Sequence, residues 1–238
     1  MERRYRKTVN SKGLIPFELV VKQTDLWISA KKNLSTEARD LVLEARAEVE
    51  RYISQYPSFR STLTPWPDDP FAPPMVKEMI KASQQLSVGP MACVAGAIAQ
   101  KVGEGLLTWS DEVVVENGGD IYANVKRSLT VALLPGSSKL ANRIGLKISP
   151  QIMPVGICSS SGTIGHSYSE GKADLVTVLA PSACYADGAA TAICNMIKEN
   201  KDLHLISRAV LNFKEIIGIV AIVGKSMACW GKIELVDL

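Results

Sequence analysis

The 238-residue chain is 47% hydrophobic and 21% charged, with a formal net charge of +3. That is the composition of a globular protein long enough to build a substantial core, and the charge is too small to argue for a nucleic-acid partner. Five cysteines without a C-x-x-C pair speak against both a disulfide framework and a zinc site.

The basic cluster Arg3, Arg4, Arg6 and Lys7 reads as a solvated start, and no apolar segment follows it to make a signal peptide. The longest apolar run, Ile216 to Val223, has the length of a strand and is too short to span a bilayer. No membrane partner and a cytoplasmic location are expected. Val20-Val21 and Leu26-Trp27-Ile28, on either side of Lys22 to Asp25, predict a hairpin. A helix follows, capped by Asn33 or Ser35, with Ala38, Leu41, Val42, Ala45, Val49, Tyr52 and Ile53 on one face until Pro57 ends it. Five prolines between Pro65 and Pro74 suggest a rigid loop packed over the surface rather than a linker. Met75 to Leu86 and Met91 to Val102 read as helices, the second rich in small residues. Gly96 within it points to a close approach, by a packed neighbour before a ligand.

Strands are predicted at Glu112 to Glu116, Asp120 to Val125, Leu129 to Leu134, Val155 to Cys158 and Leu175 to Leu179. Helices are predicted at Ser182 to Lys198 and Asp202 to Phe213, and a final hairpin at Ile216 to Val223 and Ala228 to Val236. Helices and strands are clustered rather than alternating, which favours an α+β fold over a doubly wound sheet.

Three stretches could carry chemistry. In Glu116-Asn-Gly-Gly-Asp-Ile-Tyr122, the Asn117, Gly118 and Gly119 run is hairpin-turn chemistry. Turn chemistry does not ask for Glu116, Asn117 and Asp120 together, so a polar ligand contact stays open. Ser159 to Gly165 is a Ser/Gly loop whose successive N–H groups could form an anion nest, although it has neither a P-loop lysine nor a G-x-G-x-x-G pattern. His166, next to it, is a better candidate for ligand contact or proton transfer than His204, which lies beside apolar Leu203 and Ile206. Asp187 and Thr191 lie four apart on a predicted helix, so both oxygens project from one face. A carboxylate and a hydroxyl so placed suit an Mg²⁺-type ion; the plainer alternatives are a helix-start acid and a packing residue.

Glu116-Asn-Gly-Gly-Asp-Ile, Ser160-Ser-Gly, Val176-Thr-Val and Ala186-Asp-x-x-x-Thr-Ala, in this order, resemble the ApbE-type FAD:protein FMN transferases. More closely, the chain resembles an uncharacterised, shorter branch of that superfamily, in which Gly89-Pro-Met-Ala, Ser-Ser-Gly-Thr-Ile-Gly-His-Ser and Gly-Lys-Ala-Asp runs are typical. The resemblance is strongest over residues 89–195. It implies an α+β ApbE-like fold, with mixed or antiparallel sheets packed with helices, as one domain over residues 1–238. It assigns Mg²⁺ to Asp187, Thr191 and a carbonyl near Ala92. Contacts to a flavin nucleotide, FAD or FMN, fall to Glu116, Asn117, Gly118, Gly119, Asp120, Ser160, Ser161, Gly162 and Thr163.

Two departures bear on activity. The longer His-x-x-Asp-Pro-x-x-Gly insertion of the transferases is reduced to His166-Ser-Tyr-Ser-Glu-Gly-Lys172. Their Lys-Gly pair is replaced by Met91-Ala-Cys-Val-Ala-Gly96. A shortened nucleotide pocket argues for binding a flavin or other nucleotide-like anion and against efficient FMN transfer. Any catalysis would then be Mg²⁺-dependent transfer or hydrolysis at a flavin nucleotide. The alternative is a non-catalytic accessory or carrier in sulfur, iron–sulfur or cofactor metabolism. A hydrolase using Ser161 or Cys158 with His166 ranks last, because no nucleophile-elbow pattern surrounds either residue. Asn117, the Ser160 to His166 loop and Asp187 are expected to converge on one cleft.

Overall fold

Alternation of side chains sets up the first hairpin. Strand β1 (Ile15–Val21) buries Phe17, Leu19 and Val21 and pairs antiparallel with β2 (Thr24–Ala30), leaving Lys22 and Gln23 as the turn. The strands are longer than the apolar cores that announced them. These contacts come from a computed structural model, which describes residues 13–136, 143–162 and 171–238.

Helix α1 (Ser35–Gln55) buries Ala38, Val42, Ala45, Val49 and Tyr52, the stripe expected from its period, and stops before Pro57. Asn33 accepts the Ser35 N–H at 3.0 Å. A 3-10 turn at Pro57–Arg60 drives Phe59 into the core. The proline-rich stretch is tied to α1 by Asp69, which accepts from the Tyr52 hydroxyl at 2.8 Å and from the Phe71 N–H at 2.9 Å. Helix α2 (Pro74–Leu86) opens on a proline, whose missing N–H costs nothing there. Its Met75 N–H is taken by buried Glu48 of α1 at 3.0 Å.

Helix α3 (Val94–Leu106) starts three residues later than the sequence suggests, because Pro90–Cys93 forms a 3-10 turn first. Strands β3 (Val113–Asn117) and β4 (Asp120–Asn124) form a hairpin closed by Gly118 and Gly119, at φ 70° and 109°. Next come β5 (Leu129–Ala132), β6 (Ile144–Ile148), β7 (Val155–Ser160) and β8 (Leu175–Ala180). Helix α4 (Ala183–Met196) is capped by Ser182, whose Oγ accepts the Tyr185 N–H at 3.2 Å. A 3-10 stretch at Asn200–Leu205 leads into α5 (Ile206–Asn212), where a single helix was expected. Strands β9 (Gly218–Val223), β10 (Ser226–Gly231) and β11 (Leu235–Asp237) end the chain.

The fold is α+β, and every strand pair among the described residues is antiparallel. Eight strands make one sheet in the order β1-β2-β3-β4-β7-β8-β9-β10, and β11-β6-β5 make a second. The large sheet is covered on both faces. Val113 and Val115 join the helical core while Val114 faces the small sheet; Ile219 and Ala221 divide from Val220 and Ile222 in the same way. All six residues of β8 are buried as a result. The expected last strand, Ala228 to Val236, is two strands in different sheets. Gly231 at φ 81° turns the chain between them, and a Cβ there would lie 2.2 Å from the Ile217 carbonyl oxygen.

Two glycines bring α4 against its neighbours. A Cβ on Gly96 would stand 2.2 Å from the Ala183 carbonyl oxygen, and one on Gly156 of β7 would stand 2.3 Å from the Ala183 Cα. Gly96 therefore serves helix packing. Among the described residues no helix is long and apolar enough to cross a membrane.

Candidate functional site

The crossing of α3 and α4 organises the site, because each helix caps the other. Asp187, on the second turn of α4, accepts the Gly96 N–H at 2.9 Å through Oδ2, and the Ala95 amide also favours its charged form. In return, Gln100 of α3 accepts from the Ala183 N–H at 2.8 Å and the Ser182 hydroxyl at 3.0 Å. The opening N–H groups of both helices are thus answered by side chains from another helix. Asn117, at the end of β3, donates from Nδ2 to the Ala95 carbonyl at 3.0 Å. Asn117 and Asp187 therefore meet consecutive residues of α3.

Asp120 sits across the hairpin from Asn117 and accepts the Ser159 N–H at 3.2 Å. Burial pushes its carboxyl up to about 7; the Ser159 amide and the Cys158 thiol oppose that rise, and Glu116 adds to it. Burial likewise holds the Asp187 carboxyl well above the carboxylate range. Asp120 and Cys93 push it further in the same direction, and only backbone amides oppose them. The Cys158 thiol is raised by burial, then by Asp120 and Asp187, and donates to the Ala183 carbonyl at 3.3 Å. A buried carboxyl raised further by a second one, with no described cation among the causes that offset it, makes a site that favours positive charge.

Beside the crossing lies a cleft of about 550 Å³, within the usual range for small-molecule sites. Asp187, Thr191 and Ala92 all line it. Asp187 and Thr191 are 9% and 7% exposed, so they are almost enclosed by protein. The cleft also takes in residues that sequence reasoning passed over: Arg60 at the end of the first 3-10 turn, Ser61, Thr62 and Leu63 after it, and Ser87 at the end of α2.

The remaining described candidates lie off the cleft lining. Glu116 accepts the Gly119 N–H at 2.7 Å and so steadies the Gly118-Gly119 turn. Ser160, on the last position of β7, is 8% exposed, and its hydroxyl finds no hydrogen-bond partner among the described residues. Ser161 and Gly162 follow it, with the Gly162 N–H bonded to the Ala173 carbonyl at 2.9 Å. Thr163 and His166 lie outside the described residues. Among the described residues, no three His, Cys, Asp or Glu side chains gather as a metal cluster. A cation at Asp187 and Thr191 would thus depend on a hydroxyl, a carbonyl and the ligand's own oxygens. That mixed oxygen set fits a hard ion such as Mg²⁺.

A sequence profile of a family described as "AbpE bacteria" matches residues 6–212. The chain is 36% identical over 225 residues to a UPF0280 protein of Methanocaldococcus jannaschii, covering 92% of this chain and 91% of that one. It is 41% identical over 215 residues to a UPF0280 protein of Methanothrix thermoacetophila, covering 89% and 90%. Among solved structures, the apo flavinyl transferase ApbE of Pseudomonas stutzeri superposes with a TM-score of 0.62 at 15% identity, covering 91% of this chain and 94% of that one. The flavin transferase ApbE of Vibrio cholerae gives 0.60 at 14%, covering 91% and 96%. At such identities the likeness establishes the fold, which is that of the ApbE proteins.

Proposed function

The chain belongs to this ApbE-like family, and from that membership we propose that it binds a flavin nucleotide in the cleft beside the α3–α4 crossing, with Mg²⁺. One observation supports the reading most: Asp187 and Thr191, one turn apart on α4, open on the same cleft as Ala92. Asp187 and Thr191 would hold the ion by their side-chain oxygens, and a carbonyl near Ala92 would complete the protein's share. Bound there, Mg²⁺ would offset the charge on phosphate oxygens.

The protein's own residues account for the rest. The Gly96 N–H fixes the Asp187 carboxylate, and Asn117 holds the first turn of α3 through Ala95. Near-complete burial of Asp187 and Thr191 limits water around the ion, which strengthens its hold on an anion. Efficient FMN transfer to a protein acceptor is not expected, because the segment joining the Ser160-Ser-Gly loop to Val176-Thr-Val is short. Losing positioning groups can remove much of the ~7–11 kcal/mol that proximity contributes while binding persists.

Asp187→Asn tests the reading. The amide oxygen can still accept the Gly96 N–H, so the unfolding midpoint should barely change. Mg²⁺-dependent FAD binding should be lost. A variant that binds FAD with Mg²⁺ as the parent does would remove Asp187 from the metal's coordination.

A further inference from the structure

The charged groups lining the cleft are unequal in origin. Among the described residues, Asp187 is its one carboxylate and Arg60 its one cation. Arg60 comes from a different element, the 3-10 turn Pro57–Arg60, and no described residue pairs with its guanidinium. Arg46 and Arg127, by contrast, are committed to Glu50 and Glu112.

The backbone that presents Arg60 is firmly held. Phe59, next to it, is fully buried and meets Tyr52 and Trp66 edge-on, with ring centroids 4.8 and 5.3 Å apart. The Ser61 and Thr62 N–H groups both return to the Ser58 carbonyl, at 3.1 and 3.0 Å. Gly89 lets this segment lie directly on the cleft wall, since a Cβ there would stand 2.0 Å from the Thr62 carbonyl oxygen. Because the turn is anchored, taking a ligand orders only the arginine side chain and not the backbone that carries it, and the planar fork loses less per hydrogen bond than a flexible ammonium would.

We propose that Arg60 is the phosphate-recognition residue of this cleft, and that it makes the protein select phosphorylated flavins over riboflavin. The inference rests on the nucleotide-binding reading above. A planar guanidinium offers a paired set of N–H donors that matches two phosphate oxygens, and Asp187 with Thr191 supplies the cation side of the same anion. Leu63, 60% exposed on the cleft lining, adds apolar surface of the kind a ring system covers.

The test is equilibrium binding of FAD and of riboflavin, each with Mg²⁺, to the full chain and to its Arg60→Met and Arg60→Lys variants. The methionine variant should weaken FAD binding by about 10- to 100-fold, the range for a hydrogen-bonded charged group. Riboflavin binding should be unchanged, and lysine should recover part of the loss by keeping charge without the fork. Both variants should unfold with the parent, because the side chain is exposed and pairs with no described residue. FAD binding by the methionine variant within twofold of the parent would overturn the assignment. So would an equal loss for riboflavin, or a lysine variant no better than methionine. Failure of the parent itself to bind FAD is a separate result, and it would sink the nucleotide reading on which the assignment stands.

Discussion

Gly96→Ala separates two effects of opposite sign. Inside a helix, alanine is favoured over glycine by ~1 kcal/mol, so a glycine kept only for flexibility would give a stabilised variant. At this crossing the new Cβ would stand 2.2 Å from the Ala183 carbonyl oxygen and 2.8 Å from the Asp187 Cβ. The first of these is backbone in a packed helix and cannot swing aside. Overpacking of this kind typically costs about 1–3 kcal/mol. With the severe contact at the upper end, the net is a loss of about 2 kcal/mol, or roughly 4–8 °C in Tm for a chain of this size. Gly105→Ala is the control on the same helix. Its nearest atoms are the Leu41 methyl carbons, at 2.6 and 2.7 Å, which can rotate away. That variant should be neutral or slightly stabilised. Thermal and urea unfolding followed by circular dichroism read both. A Gly96→Ala variant as stable as Gly105→Ala would refute the tight crossing, and with it the account of how Asp187 is held.

Two further outcomes follow from local chemistry. Asp120 is pushed up to about 7, mainly by burial, against an unfolded value of about 3.9. Between these values the folded state keeps a proton that the unfolded state has released. Without Mg²⁺, stability should therefore fall as pH rises from about 4 to 7, and Asp120→Asn, which can still accept the Ser159 N–H, should flatten part of that slope. An unchanged slope in pH-dependent urea unfolding would contradict the burial argument. Ser87 ends α2 at φ 57°, a position where glycine carries no steric penalty. Ser87→Gly should raise stability by about 1 kcal/mol, and a lower Tm would show that the hydroxyl itself holds the turn.

The elements that alternation and period announce are present. The stripe of α1 and the Gly118-Gly119 hairpin follow directly from spacing and turn chemistry. Strand β6 escaped although Ile144, Leu146 and Ile148 alternate with Gly145 and Lys147, because three apolar positions around a glycine make a short, weak strand signal. The division of β10 from β11 had a visible signal in Gly231, which a continuous apolar reading overran. Asp187 and Thr191 could be singled out from their spacing alone. That Asp187 also caps α3 at Gly96, 91 positions away, is a tertiary contact with no local trace. Arg60 and Ser87 were missed for a related reason. An exposed arginine after a short turn and a serine at a helix end are ordinary until the fold sets them around one cleft.

The central claim is that this cleft holds a flavin nucleotide through a metal. Its most direct measurement is a titration of the purified full chain with FAD, followed by flavin fluorescence, with Mg²⁺ and again with excess EDTA. The account predicts saturable binding with Mg²⁺ that EDTA abolishes and restored Mg²⁺ recovers. Absence of binding in both conditions, or binding that EDTA leaves unchanged, would contradict it.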